Sequence, residues 1–297
     1  MAAPRVSIVI PAWNAAPFIE KTLSAVDAQT YRDFEVIVVD DGSTDDTHSV
    51  AVRFLQDKGL RGRCIKQENK KIAGARNTGI RAGEADLIAF LDHDDLWFPT
   101  KLEKVMTEFD AHPDIDLVCH QENVVKDGVF LRVTRNGPLV ENMYEHLLFE
   151  GNGLSPSAVT VKKSKLLEAG LFREEPDFNT VEDYDLWMRL AKITRMRFLD
   201  EVLGEYQLVE RGASNKIVYH NQNLEHLLRD HFRNFPDSDM RKRRRLGAMC
   251  RSASRLLMEQ GDLAAAGTYA RRAVVECPWD WKNIAVVGLW AARRLVK

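Results

Sequence analysis

Phe34-Glu35-Val36-Ile37-Val38-Val39 is a β-branched, mostly apolar run that stops at Asp40-Asp41-Gly42-Ser43. Its length and branching predict a strand buried inside a sheet, and the polar cluster predicts the turn that leaves it. Working outward, Val6-Ser7-Ile8-Val9-Ile10, ending at Pro11, reads the same way, as do Cys64-Ile65-Lys66-Gln67 and Leu87-Ile88-Ala89-Phe90-Leu91. Between these strands, Ala16 to Thr30 places Phe18, Ile19, Leu23 and Val26 at helical spacing, and Ala73 to Ala82 reads as another helix. Asp45 to Gln56 reads as a helix with acids in its first turn, where they suit the helix dipole. Strand–helix alternation at this pace predicts a doubly wound, mainly parallel α/β sheet. Ligands of such sheets sit beyond the carboxyl ends of the strands, where both Asp40-Asp41 and Asp92-His93-Asp94-Asp95 fall.

From about Asp116 to Leu208 the pattern is mixed, with strand-like Leu117-Val118-Cys119 and Ala158-Val159-Thr160-Val161 and a helix over roughly Glu182 to Thr194. From Tyr219 onward the chain reads as all helix. Gly261-Asp262-Leu263 divides two amphipathic helices there, in the manner of a tetratricopeptide-like pair, and such a pair needs neighbours to cover its face. The expected division is a catalytic domain at 1–215 and a basic helical region at 216–297. Within the first, a nucleotide-binding half covers about 1–115 and an acceptor half about 116–215.

The 297 residues are 45% hydrophobic and 29% charged, the composition of a packed globular protein rather than a disordered one. No run approaches the roughly 18 apolar residues of a membrane span. Residues 1–6 lack the basic and apolar blocks of a signal peptide. The cysteines Cys64, Cys119, Cys250 and Cys277 show no CxxC spacing, which argues against zinc and against a disulfide scaffold. The expected location is therefore cytoplasmic. Charge is uneven: residues 241–297 hold thirteen Lys/Arg against four acids, and the remainder is acidic. That asymmetry adds a peripheral contact with anionic membrane, at the inner face of the cell membrane, to the expectations. The run Arg241-Lys242-Arg243-Arg244-Arg245 and the last helix, with Trp290, Leu289, Arg293 and Arg294, would make that contact. No nucleic-acid motif accompanies the charge.

Neither GxxxxGK[ST] nor a GxGxxG after a strand is present, so the usual phosphate loops are missing. Three acidic clusters remain. Asp40-Asp41 can accept a nucleobase N–H, or simply form a turn and cap. Asp92, Asp94 and Asp95 crowd one turn, which suits a hard divalent cation, Mn²⁺ or Mg²⁺, completed by substrate phosphates; the plainer reading is a solvated loop. Glu182-Asp183 opens a helix, where a carboxylate serves either the dipole or as a general base.

Taken together, these residues are recognisable. Val6 to Asn14, Asp40 to Asp45, Gly74-Ala75-Arg76-Asn77-Thr78-Gly79, the Asp92–Asp95 cluster with Trp97 and Pro99, and Glu182-Asp183 with Leu186 and Trp187 resemble, in order, the motifs of family 2 glycosyltransferases. The resemblance implies a GT-A fold and inverting transfer from a nucleotide-diphosphate sugar. It implies that Pro11, Trp13 and Asn14 line the nucleotide pocket and that Asp41 binds the base, with Asp40 beside it. Arg76 would stand near the diphosphate, Asp92 and Asp94 at the ribose and metal, and Asp94 and Asp95 on the metal itself. Asp183 would be the catalytic base, with Glu182 as its neighbour. After the base helix, the Tyr-Arg-x-His stretch of many relatives is replaced by Tyr206-Gln207-Leu208-Val209-Glu210-Arg211, so Arg211 would serve the diphosphate. The Gln-x-x-Arg-Trp signature of processive synthases is missing, which implies addition of a single sugar to a glycan or glycolipid acceptor of a surface polysaccharide or lipopolysaccharide. Two alternatives stand: a degenerate GT-A chain acting as a binding module, and a sugar nucleotidyltransferase. The second expects a Gly/Lys-rich loop where Pro11-Ala12-Trp13-Asn14 stands.

Overall fold

The computed structural model describes residues 3–208 and 216–295. In chain order the elements are β1 (Val6–Ala12), α1 (Ile19–Asp27), β2 (Phe34–Asp40), α2 (Thr47–Asp57), β3 (Gly62–Lys66), α3 (Lys71–Ala82), β4 (Leu87–Phe90), β5 (Leu96–Trp97), α4 (Lys101–Ala111), β6 (Leu117–Lys126) and β7 (Val129–Val133). They continue with α5 (Met143–Glu150), β8 (Val159–Lys162), α6 (Lys163–Glu168), α7 (Glu182–Leu190), β9 (Met196–Gln207), α8 (Ile217–Phe232), α9 (Asp239–Glu259), α10 (Leu263–Glu276) and α11 (Trp281–Leu295). Two compact units divide the chain. The first comprises residues up to Tyr144 with Asn152–Glu174 and Glu182–Glu210; the second comprises Glu145–Gly151, Glu175–Val181 and the chain from Arg211.

In the first unit one sheet runs in the order β3-β2-β1-β4-β8-β6-β9-β5, with β7 paired to β6. The four strands of the βα alternation are parallel, with Val6 opposite Phe34 and Leu87 and with Asp40 opposite Ala12 and Lys66. Past residue 116 the alternation lapses, and so does the parallel order: β8 runs antiparallel to β4 and β6, and only β6 and β9 are again parallel. Every residue of β1 and β2 is buried. Val6, Ile8 and Ile10 share a core with Ile19, Leu23, Val36, Val38, Leu102 and Val105, while Ile37 and Val39 pack with Ala75 on the other face. Burial of both faces explains why the strand sequences are continuous apolar runs rather than alternating ones. α3 lies close on β1 because residue 79 is glycine: a Cβ there would meet Val9 Cγ1 at 2.3 Å. The polar residues inside the sheet are matched, Ser7 Oγ donating to Glu35 Oε1 at 2.7 Å and Glu84 N to the same oxygen at 2.6 Å.

Helix α2 begins at Thr47, two residues later than expected, because Asp45 stays outside as an acceptor for Thr47 N at 3.1 Å and Ala16 N at 3.2 Å. In the second unit α9 and α10 are divided at Gly261 (φ +84°), and the Asp262 carboxylate caps α10 by accepting from Ala265 N at 2.9 Å. Ala266, Ala270 and Ala273 are fully buried in that pair. No helix among the described residues is long and apolar enough to cross a membrane.

Candidate active site

The carboxyl ends of β2 and β4 carry two of the acidic clusters. After β4, Leu91 N still donates to Val9 O at 3.1 Å; the chain then turns, closed by Asp95 N donating to Asp92 O at 3.1 Å. Ser157, on the turn that leads into β8, pins this loop. Its hydroxyl accepts from Asp92 N at 3.0 Å and donates to Asp95 Oδ2 at 2.5 Å, while its carbonyl accepts from Trp97 Nε1 at 2.7 Å. Thr22 Oγ1 donates to the carbonyls of His93 and Asp95 at 2.7 and 3.1 Å. Asp95 is 1% exposed, and Gln207 N donates to its Oδ1 at 2.9 Å, so both of its oxygens are engaged. His93 turns away, its Nδ1 3.1 Å from Pro11 O. Asp94 is half-buried, and no described residue donates to its carboxylate.

Arg76, 2% exposed on α3, joins the turn to a distant helix start. One terminal nitrogen donates to Asp92 Oδ1 and Oδ2 at 2.8 and 3.0 Å, and the other to Glu182 Oε1 at 2.9 Å. A guanidinium that bridges two carboxylates, one on each terminal nitrogen, sets their placement as well as their charge. Burial works against that charge, but Asp92, then Glu182 and Asp183, more than offset it and raise the Arg76 pKa. Glu182 is pushed up to about 7 by burial and by Asp183, against Arg76. The arginine therefore places Asp183 beside the acidic turn. Asp183 is less buried than Glu182; Tyr184 N donates to its Oδ1 at 2.7 Å, and no described residue donates to its Oδ2. Burial raises its pKa while Arg76 opposes the rise. Burial also raises Asp94, and lifts Asp95 well above its ordinary value with help from Glu122, Asp94 and Asp92.

Among the described residues no three His, Cys, Asp or Glu side chains converge as a preformed metal cage. The donor set does suit a hard cation of the Mg²⁺ or Mn²⁺ kind, which needs one or two carboxylates plus substrate oxygens. Asp94 offers a carboxylate with no hydrogen bond from another described residue, beside the negative charge of Asp92. Asp95, also expected on the metal, is hydrogen-bonded to Ser157 and to the backbone of Gln207.

On the β2 side, Asp41 is 3% exposed; its Oδ1 accepts from Gln67 Nε2 at 2.7 Å and from Lys70 N at 2.8 Å, and its Oδ2 has no described donor. Asp40 is fully buried, and its Oδ1 accepts from Ser43 N at 3.0 Å, so it shapes the loop. Asn14 (φ +49°) also ties loops together, its Oδ1 accepting from Thr44 N at 2.9 Å. Trp13 is 54% exposed, an aromatic face open beside the end of β1, and Pro11 is buried. Arg211 lies outside the described residues.

Behind the acidic turn sit Lys101 and Glu122, both fully buried, which the motif reading passed over. Lys101 Nζ donates to Thr160 Oγ1 at 3.0 Å and lies 3.7 Å from the Trp97 ring centre. Burial brings its pKa down to about 7 and pushes Glu122 up to about 7. Both Glu122 oxygens are buried without a hydrogen bond among the described residues. A signal for Lys101 was present: it stands four and eight residues before Val105 and Phe109, on the apolar face of α4. Ser157, 60 to 65 residues from its partners, had none.

The model of glycosyl transferase family 2 matches residues 7–165, more than half of the chain. The chain belongs to glycosyl transferase family 2. Within the family, it is 31% identical over 217 residues to the amylovoran biosynthesis glycosyltransferase AmsB of Erwinia amylovora, covering 70% of this chain and 71% of that one. It spans only 36% of the length of two further relatives, uncharacterized glycosyltransferases of Rickettsia felis and Rickettsia conorii. Among solved structures, S. aureus TarS 1-349 in complex with UDP aligns with a TM-score of 0.60 at 18% identity, over 99% of this chain and 92% of that one. The mannosyltransferase PcManGT of Pyrobaculum calidifontis, in complex with GDP-Man and Mn²⁺, aligns with a TM-score of 0.62 at 21% identity, over 99% and 88%. The fold is GT-A, with a helical C-terminal extension.

Proposed function

We propose that this chain is an inverting, non-processive glycosyltransferase, moving a sugar from a nucleoside-diphosphate donor to a hydroxyl of a glycan or glycolipid acceptor in surface polysaccharide assembly. The observation that carries the reading is the Arg76 bridge, which sets the open carboxylate of Asp183 beside the Asp92–Asp95 turn. The named biosynthetic role of AmsB supports the acceptor class.

In this mechanism Asp41 Oδ2 accepts the imide N–H of the base, as uracil's N3–H requires, and Trp13 lies against the base. Asp183 takes the proton of the acceptor hydroxyl, a task for which a raised carboxylate pKa is suited. The hydroxyl oxygen bonds to the anomeric carbon on the face opposite the leaving nucleoside diphosphate, and the bond to that diphosphate breaks, so the centre inverts. A divalent cation held by Asp94 would neutralise charge developing on the diphosphate. Asp95 and Ser157 hold the turn in place, and Arg76 positions Asp92 and Glu182. The lipid-linked form of such an acceptor would meet the enzyme at a membrane, and we extend the reading to peripheral attachment through the basic C-terminal helices.

Calorimetric binding of UDP, dTDP, GDP and CDP, with and without Mn²⁺, tests the reading. Mn²⁺-dependent binding of one nucleotide, lost in Asp94→Ala, is the expected result. No binding to any of the four would turn the reading towards a binding module.

A further inference from the structure

The basic run that invited a membrane contact is largely engaged within the second unit. Arg241 pairs with Glu145 and lies 3.9 Å from the Phe149 ring centre, and Lys242 donates to Pro236 O at 3.0 Å. Arg243 donates to the carbonyls of Val275 and Glu276 that end α10, at 2.9 and 2.8 Å, and Arg245 to Leu148 O at 3.2 Å. Those cations are helix caps and ion pairs, leaving little for a surface.

Helix α11 is different. One face docks on its neighbours: Asn283 Nδ2 donates to Ala273 O and Cys277 O at 2.9 and 3.0 Å, and Trp290 Nε1 to Leu263 O at 2.7 Å. Gly267 makes room for Trp290, since a Cβ there would meet the indole at 2.5 Å. At about 100° per residue, the opposite face gathers Trp281, Ile284, Ala285, Gly288, Ala291, Ala292 and Leu295 within roughly 120°. All seven are exposed and none is polar; Trp281 is 70%, Ile284 57% and Leu295 88% exposed. Lys282 borders this face on one side and Arg294 on the other, and the helix contains no acid. Arg271 and Arg294 flank the Trp290 ring at 5.5 and 5.2 Å, and with Leu263 and Ala264 line a cavity of about 410 Å³.

We propose that the outer face of α11 seats on an anionic phospholipid surface. The apolar face enters the acyl boundary, Trp281 lies at headgroup level, and Lys282, Arg271 and Arg294 meet lipid phosphates. Charge chooses this occupant over a second copy of the chain: antiparallel pairing of two α11 helices brings Lys282 towards Arg293 and Arg294 with no acid between them. The proposal rests on the peripheral attachment proposed above and assigns it to one face of α11; it concerns the second unit alone, so it stands or falls separately from donor binding.

The test is cosedimentation of the full chain with vesicles of phosphatidylcholine alone and with added phosphatidylglycerol, at low and high salt. Binding to the anionic vesicles, weakened by salt, is expected. It should fall at least tenfold both in Ile284→Ser/Leu295→Ser and in Arg271→Glu/Arg294→Glu, with helical circular dichroism and nucleotide binding unchanged. Equal binding by the variants would overturn the proposal, as would equal binding to neutral vesicles. So would absence of vesicle binding together with a dimer in sedimentation velocity that Ile284→Ser/Leu295→Ser dissolves.

Discussion

Replacing Arg76 by methionine keeps an unbranched apolar stem and removes the guanidinium shared by Asp92 and Glu182. Removing one partner of a buried ion pair costs about 3–5 kcal/mol. Two features place this site at the lower end of that range. The Asp92 side chain is 21% exposed and can be hydrated, and Glu182, already near 7 with the arginine present, can hold a proton instead of a stranded charge. The expected loss is about 3 kcal/mol at neutral pH. Its pH dependence follows from the direction of the Glu182 shift. The folded pKa lies above the ordinary 4.5, so the native state binds more protons than the unfolded chain between 4.5 and about 7, and stability falls as pH rises through that window. Without Arg76 the folded pKa moves higher, and the fall continues past neutrality by about 1.4 kcal/mol per pH unit. Urea denaturation in metal-free buffer at roughly pH 5.5, 7 and 8.5 reads this directly. The cost should be least in acid and about 2 kcal/mol greater at the alkaline end than at neutrality. A cost independent of pH, or below about 1 kcal/mol throughout, would refute the account of Arg76 as the counter-charge of this site.

Two further perturbations separate chemistry from packing. Asp183→Asn should lower turnover by roughly 10²–10⁴-fold while leaving nucleotide binding in calorimetry within twofold of the parent; a parallel loss of binding would move the base elsewhere. Gly79→Ala, whose Cβ meets Val9 at 2.3 Å, should destabilise by about 1–3 kcal/mol. Gly288→Ala, with nothing within 4 Å, should stabilise α11 by up to about 1 kcal/mol, and equal effects in thermal melts would contradict the packing described for α3.

The parallel half of the sheet could be read from sequence because burial on both faces imposes unbroken apolar runs, and Val6–Ile10 and Phe34–Val39 carry that imprint in consecutive residues. The antiparallel half could not: β8 and β6 pair across long separations, and no local residue choice records which neighbour a strand will find. The same division holds at the site. Asp41, Asp92 and Asp94 stand out because acids after apolar runs are locally anomalous, and Asp183 because it opens a helix. What distinguishes Asp94 from Asp95 is not local, since it depends on Ser157 and the backbone of Gln207. The helical region shows both cases. Gly261-Asp262 marked its own turn, whereas the engagement of Arg241 and Arg243 depended on partners that composition cannot reveal.

Ser157 is at once donor, acceptor and carbonyl for the turn that carries Asp92, Asp95 and Trp97, yet it belongs to the strand entry on the antiparallel half of the sheet. A shift of that entry by a few tenths of an ångström changes three contacts of the acidic turn together. On the function proposed above, a ligand that moved this entry would alter donor affinity, and the donor would alter that ligand's affinity by the same factor. One serine thus makes the geometry of the acidic turn a property of both halves of the sheet.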